Sequence, residues 1–221
     1  LDTYEHLFLS GQQVIETREG SGSTAAQAES LQPKYQHIWS PRYIDALILR
    51  DENTDQDDTC DDERVYYLDD ANFNVTALVN TSGTVLERYL YTPYGEVTVL
   101  DSDFSSDADG KSDYSNTTLY TGRTFDPAIG LYYYRHRVYH PQLGRFVTRD
   151  PVGYHDGSSL SNYVGNNVTN AADPTGLFHV TGPWGYSSTD TGSGFPDRSV
   201  TGGMFYIYRG PRDGPYYVQD V

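Results

Sequence analysis

Two aspartates in this chain stand in the same short pattern. Asp150-Pro151-Val152-Gly153 and Asp173-Pro174-Thr175-Gly176 both read Asp-Pro-x-Gly, and nineteen residues separate the two motifs. Each motif alone is turn chemistry. Proline fixes φ, aspartate bonds its own downstream backbone, and glycine takes a positive φ. Two carboxylates returned to one place by such turns could share a proton and activate a water. Three readings are open on these residues alone: two independent turns, a catalytic dyad, or an inert hydrogen-bonded pair. Arg149 and Arg145 lie beside the first motif and are the cations expected to pair with a carboxylate. Arg145 could equally bond turn carbonyls.

The elements that must position such a pair read as strands. The chain has 221 residues, 21 of them tyrosine, with 14% aromatic residues, 21 glycines and 11 prolines. Aromatic side chains suit a pleated, half-buried surface, and no long helical periodicity is present. Strands are expected at Tyr4 to Leu9, Gln12 to Thr17, Tyr35 to Trp39, Tyr43 to Arg50 and Arg64 to Leu68. Residues 18 to 31 read as a flexible excursion, and 51 to 63 as an acidic loop.

Internal repetition is stronger than any single strand signal. Tyr67-Leu68 followed by Val75 to Leu78 aligns with Tyr89-Leu90 followed by Val97 to Leu100, at a period of 22 residues. A shorter repeat aligns Phe125-Asp126-Pro127 through Tyr132 with Tyr139-His140-Pro141 through Phe146. Each unit is a hairpin unable to bury its own face, so stacked antiparallel hairpins are the expected all-β architecture. Met204 to Tyr208 and Tyr216 to Val218 frame a terminal hairpin.

These motifs resemble a family. Gly130-Leu131-Tyr132-Tyr133-Tyr134-Arg135, Leu143-Gly144-Arg145-Phe146-Val147, Arg149-Asp150-Pro151-Val152-Gly153, Asn162-Tyr163-Val164-Gly165-Asn166-Asn167 and Asp173-Pro174-Thr175-Gly176-Leu177 together resemble the core-associated end of Rhs/YD-repeat proteins. Those are large bacterial surface and secreted proteins, related to the C subunits of insecticidal Tc toxins and to the teneurins. The match is strong over residues 119 to 177. It departs from the family at His140, at Ser161 and at Val168. The resemblance implies a YD-repeat segment over 1–118, a core-associated region over 119–177 and a variable tail over 178–221. It implies a sheet that spirals into a hollow shell. It also implies self-cleavage at Leu177–Phe178, one aspartate deprotonating water and the other polarising the carbonyl.

Charge and cysteine usage narrow the partners. Acidic residues number 31 against 15 basic, for a net charge of -16. Such a surface repels nucleic-acid phosphates and favours cations. Two acidic loops suggest calcium. Asn53, Asp55, Asp57 and Asp61 follow EF-hand spacing without the turn glycine or the closing glutamate, and Asp107, Asp109 and Asp113 form an equally imperfect second loop. A solvated acidic loop is the alternative for both. His136 and His140 share a strand face but lack the further ligands zinc needs. The single Cys60 sits among acids that keep a thiol protonated. No apolar run reaches the length of a membrane span.

The chain opens on Leu1, from which a fragment or processed piece of a longer polypeptide is expected. The expected work is structural, as a shell segment of a bacterial extracellular or surface protein, with self-cleavage at most and no activity on other molecules. No cofactor is required. The rival expectation is a subunit of a self-assembling β-rich filament, with copies joined through strand edges.

Overall fold

The computed structural model describes residues 3–21, 31–154, 159–177, 180–181, 206–207 and 216–217. The strands, in order, are β1 (Thr3–Ser10), β2 (Gln13–Ser21), β3 (Pro33–Trp39), β4 (Leu47–Glu52), β5 (Glu63–Asp69), β6 (Val75–Asn80), β7 (Val85–Tyr91) and β8 (Val97–Asp101). They continue as β9 (Thr124–Asp126), β10 (Leu131–Tyr134), β11 (Arg137–His140), β12 (Arg145–Phe146), β13 (Ala171–Ala172), β14 (Val180–Thr181), β15 (Tyr206–Ile207) and β16 (Tyr216–Tyr217). The helical elements among the described residues are short 3₁₀ turns, such as Tyr120–Gly122 and Val164–Asn166. β1 to β8 form one sheet in chain order, and a second sheet runs β12-β11-β10-β9. The fold is all-β, built of stacked antiparallel hairpins.

The hairpins repeat one turn. In the loops opening at Asp70, Asn80, Thr92 and Asp101, the first residue's N–H donates to the fifth residue's carbonyl, and the fourth residue's N–H donates back to the first carbonyl. Asp70 and Asn80 also accept, through their side chains, the N–H groups two and four residues on. This is the three-residue hairpin loop in which a turn ends on a left-handed residue. The 22-residue repeat corresponds to a repeat in burial. Tyr67 and Tyr89 are buried, whereas Leu68 and Leu90 face solvent. The shorter repeat is equally regular. Tyr132 pairs with Phe125 across one loop, and Tyr139 pairs with Phe146 across the next.

Two compact units are present, residues 1–69, 75–89 and 99–114 in the first, and 70–74, 90–98 and 115–221 in the second. The first has a core that includes Leu47, Val65, Tyr67, Leu78 and Tyr89. Arg50 is buried there, its guanidinium 4.4 Å over the Tyr35 ring and donating to the Tyr114 carbonyl at 2.7 Å.

The second unit has a core of tyrosine. Tyr120, Tyr132, Tyr134, Tyr139 and Tyr163 are fully buried together with Phe146. A buried hydroxyl needs a partner, and one turn supplies three. Tyr120 donates to the Pro93 carbonyl, Tyr139 to Tyr94 and Tyr132 to Gly95, at 2.8 to 2.9 Å. Tyr134 and Tyr163 bond each other at 3.1 Å, and Tyr134 meets Thr121 at 2.8 Å. Burial raises the pKa of each of these five hydroxyls, so all remain protonated donors.

Several sequence expectations need correction. Residues 18 to 21 of the excursion expected over 18–31 are strand instead, because β2 runs to Ser21 and pairs Arg18 with Pro33, while residues 22–30 lie outside the described residues. The strand expected from Tyr43 begins at Leu47, since Tyr43 and Ala46 are joined by a turn bond. The terminal hairpin pairs Tyr206 with Tyr217 and Ile207 with Tyr216; Met204, Tyr208 and Val218 lie outside the described residues.

Candidate functional site

β10 and β11 are joined by a tight turn in which Arg135 takes a positive φ of 58°. Alternation along β11 then places Arg137 and Tyr139 on the buried face. Arg137 is a cation inside a tyrosine core, and it is paired twice. Its Nη1 lies 2.9 Å from Asp150 Oδ2, and its Nη2 lies 3.1 Å from Asp173 Oδ2. All three side chains are at most 4% exposed. The guanidinium stacks 3.6 Å over the Phe146 ring. One planar fork thus joins the two Asp-Pro-x-Gly motifs.

Each aspartate also organises its own turn. Asp150 Oδ1 accepts the Val152 N–H at 2.9 Å. The Asp150 N–H reaches the Leu160 carbonyl at 2.8 Å, tying the motif to the segment before Tyr163. Asp173 Oδ1 accepts the N–H groups of Thr175, Gly176 and Leu177 at 3.3, 2.8 and 3.2 Å. These bonds curl the backbone around one oxygen and leave the other facing Arg137.

Three consecutive residues, two in the β10–β11 turn and the first of β11, hold three consecutive carbonyls of the second motif. Arg135 Nη1 donates to Pro174 O. The His136 N–H donates to Thr175 O, with the ring Nδ1 also 2.9 Å from that oxygen. Arg137 Nε donates to Gly176 O. Gly176 leaves no room for a side chain, because a Cβ there would collide with the Tyr134 carbonyl. The clamp ends one residue before the Leu177–Phe178 bond. β13 and β14, on either side of that bond in sequence, pair Ala171 with Thr181 and Ala172 with Val180. Phe178 itself is outside the described residues.

The arginines expected from sequence are elsewhere. Arg145 and Arg149 are solvent-exposed, and among the described residues the side chain of Arg145 has one long 3.5 Å contact, to the Leu143 carbonyl. Strand parity explains this, since Arg145 alternates with the buried Phe146 on β12 and must point outward. Arg137 escaped the sequence reading although a signal existed. It occupies a core-facing position of a strand, and a charge there requires a buried partner of opposite sign.

The acidic loops are ordered by bonds from their own side chains. Asn53 Oδ1 accepts the Gln56 N–H, Asp57 caps Thr59, and Asp62 caps Thr54 and Asp55. Asp107 caps Asp109, Gly110 and Lys111, while Asp113 uses its N–H to bond Glu87. Their oxygens thus close local turns. Among the described residues, including Asp55, Asp61 and Asp109, no group of three or more His, Cys, Asp or Glu converges as a metal site. Cys60 is buried beside these acids, and burial together with Glu16, Asp51, Asp57 and Asp61 pushes its thiol up to about 11.

Relatives share both the motifs and the fold. No family model matches the chain. The toxin subunit YenC2 of Yersinia entomophaga is 31% identical over 171 residues, 77% of this chain and 16% of that protein. The uncharacterized protein YibJ of Escherichia coli is 46% identical over 59 residues, 27% of this chain and 25% of that one. A crystal structure of TcdB2-TccC3-Cdc42 matches 73% of this chain with a TM-score of 0.53 and 26% identity, over 7% of the solved chain. The chain belongs to the Rhs/YD-repeat proteins. It spans a quarter or less of the length of these Rhs-type relatives. As an Rhs/YD-repeat segment its hairpins form part of a repeat shell. No helix among the described residues is long and apolar enough to cross a membrane.

Proposed function

We propose that this Rhs/YD-repeat segment cuts its own Leu177–Phe178 bond, using the cluster of Asp150, Arg137 and Asp173. The observation that carries the reading is Arg137, which contacts both carboxylates and the Gly176 carbonyl. Asp150, with a single turn bond on Oδ1, is the group placed to accept a proton from water. The water oxygen adds to the Leu177 carbonyl carbon, and Arg137 offsets the negative charge that develops. The C–N bond then breaks as the Phe178 nitrogen takes the proton, leaving a carboxylate on Leu177 and an amine on Phe178. Asp173 is a positioning residue, because its Oδ1 holds the Leu177 N–H. Cleavage would free the tail from the shell segment in a bacterial secreted or surface protein.

Intact mass and a denaturing gel test this directly. Wild type gives two pieces split after Leu177, while Asp150→Asn and Asp173→Asn each give one species near 24.8 kDa. Arg145→Ala, altered on the exposed face, cuts like wild type. A fully folded wild type that stays whole would leave the cluster purely structural.

A second reading is favoured by the eight-stranded sheet, in which β1 is an edge. An edge strand of eight residues presents unpaired backbone groups that another copy could pair with. Like charge opposes that approach, so association would strengthen with salt or calcium. Sedimentation at low salt, at high salt and with calcium distinguishes this from a monomer at every condition.

A further inference from the structure

A polar cleft of about 460 Å³ opens beside the tyrosine core, away from Arg137 and its aspartates. Its walls include Tyr94, Gln142, Arg145, Ser161, Asn162 and Asn166. The aromatic wall is held rigidly. The Tyr94 carbonyl accepts the Tyr139 hydroxyl, and the Tyr94 ring lies against Gly144, where a Cβ would come within 2.8 Å of it. Two further contacts frame the cleft, Gln142 Nε2 to Glu96 Oε1 at 3.1 Å and the Tyr94 hydroxyl to Asn166 Oδ1 at 3.4 Å. Arg145 enters this cleft without an acidic partner among the described residues. That is unusual in a chain of net charge -16, where carboxylates outnumber cations about two to one.

We propose that this cleft binds an acidic sugar, a single pyranose ring carrying one carboxylate. The chemistry divides among the walls. A guanidinium fork matches a carboxylate in two parallel hydrogen bonds. Amides and hydroxyls on Asn162, Asn166 and Ser161 supply both donors and acceptors, as sugar hydroxyls require. A tyrosine ring offers a flat apolar surface to the C–H face of a pyranose, with little conformational entropy to lose. The volume falls within the range of small-ligand clefts and suits one ring or two.

Titration of the intact chain with D-glucuronate, glucose and acetate, followed by calorimetry or by NMR shifts at Tyr94 and Arg145, tests the assignment. Glucuronate binds saturably, glucose binds at least about tenfold more weakly, and acetate does not saturate. Arg145→Gln brings glucuronate down to the level of glucose. Tyr94→Leu weakens both sugars, and a melting curve matching wild type shows that the turn is intact. Absence of saturation by glucuronate overturns the proposal. So does acetate binding as well as glucuronate, which would mark a simple carboxylate site, or an Arg145→Gln protein that still prefers glucuronate.

Discussion

Arg137 Nε donates to the carbonyl of Gly176, so the guanidinium that joins the two aspartates also holds the backbone just before the candidate cut. The three donor directions of one side chain therefore link β11 to both Asp-Pro-x-Gly turns. Cation, carboxylates and peptide are fixed relative to one another before any chemistry. A lysine, with a point charge in place of a fork, cannot reproduce that arrangement.

Gly176→Ala tests how closely the clamp must fit. The residue has φ of 72°, and an added Cβ would strike the Tyr134 carbonyl, which is backbone and cannot rotate away. We expect the segment to be displaced from Arg137 and stability to fall by about 2–4 kcal/mol. Denaturant melts measure the loss, and a gel shows whether cutting after Leu177 stops as well. A variant that melts like wild type would mean that the 173–177 segment docks loosely.

The repeated hairpin turn provides a controlled comparison. Gly83 and Gly95 occupy the same left-handed place in successive loops, with φ of 78° and 87°. A Cβ added at Gly83 would meet nothing within 4 Å, whereas at Gly95 it would sit 2.5 Å from the Tyr120 ring. Gly83→Ala should cost only the conformational term, about 1–2 kcal/mol. Gly95→Ala should cost clearly more, because it also pushes apart the tyrosine core. Equal midpoints in urea would contradict this assignment.

The hairpins are legible in the sequence and the buried arginine is not, for physical reasons. Turn residues such as Asn80 and Gly83 act locally, so their effect is visible in a few neighbouring positions. The paired repeats around Pro127 and Pro141 marked the β9–β10 and β11–β12 loops in register. Asp150 and Asp173 could be singled out because each sits in its own turn. Their common partner could not, since Arg137 lies 13 residues before one and 36 before the other, and only the folded sheet brings them together. Proximity in sequence favoured Arg145 and Arg149 instead, although strand parity already turned Arg145 outward. Phe73 and Phe104 show a further limit. Both take the left-handed turn position at φ of 59° and 72°, where residue type alone points to glycine.

Cys60 should be an unreactive thiol while the chain is folded. Its pKa is pushed up from 9.0 to about 11, first by burial and then by Glu16 and nearby aspartates. Thiolate is the reactive form, so alkylation at pH 8 should run at least about tenfold slower in the native chain than in urea. Between pH 9 and 11 the unfolded chain binds fewer protons at this site than the native one, so the contribution of Cys60 to stability falls as pH rises. Cys60→Ala should flatten that alkaline slope. Rapid labelling of the native protein at pH 8 would contradict the burial.

The acid side should be governed in part by His37. Burial, followed by the Arg50 guanidinium, lowers its pKa from 6.5 to about 4. Its ring Nδ1 is buried without a hydrogen-bond partner, so a charged imidazole would have neither solvent nor an acceptor at that atom. The sign follows from proton counting. Between pH 6.5 and 4 the unfolded chain binds a proton at His37 and the native chain does not, so stability falls as pH drops through that window. The full effect is on the order of 3–4 kcal/mol, from about 1.4 kcal/mol per pKa unit. Carboxylates titrate toward the lower end of the same range, so the diagnostic interval is pH 6.5 to 5. Urea midpoints of wild type and His37→Gln, compared across that interval, should diverge, with the variant losing less stability on acidification. Parallel curves would show that His37 takes up its proton in the folded chain as readily as in the unfolded one.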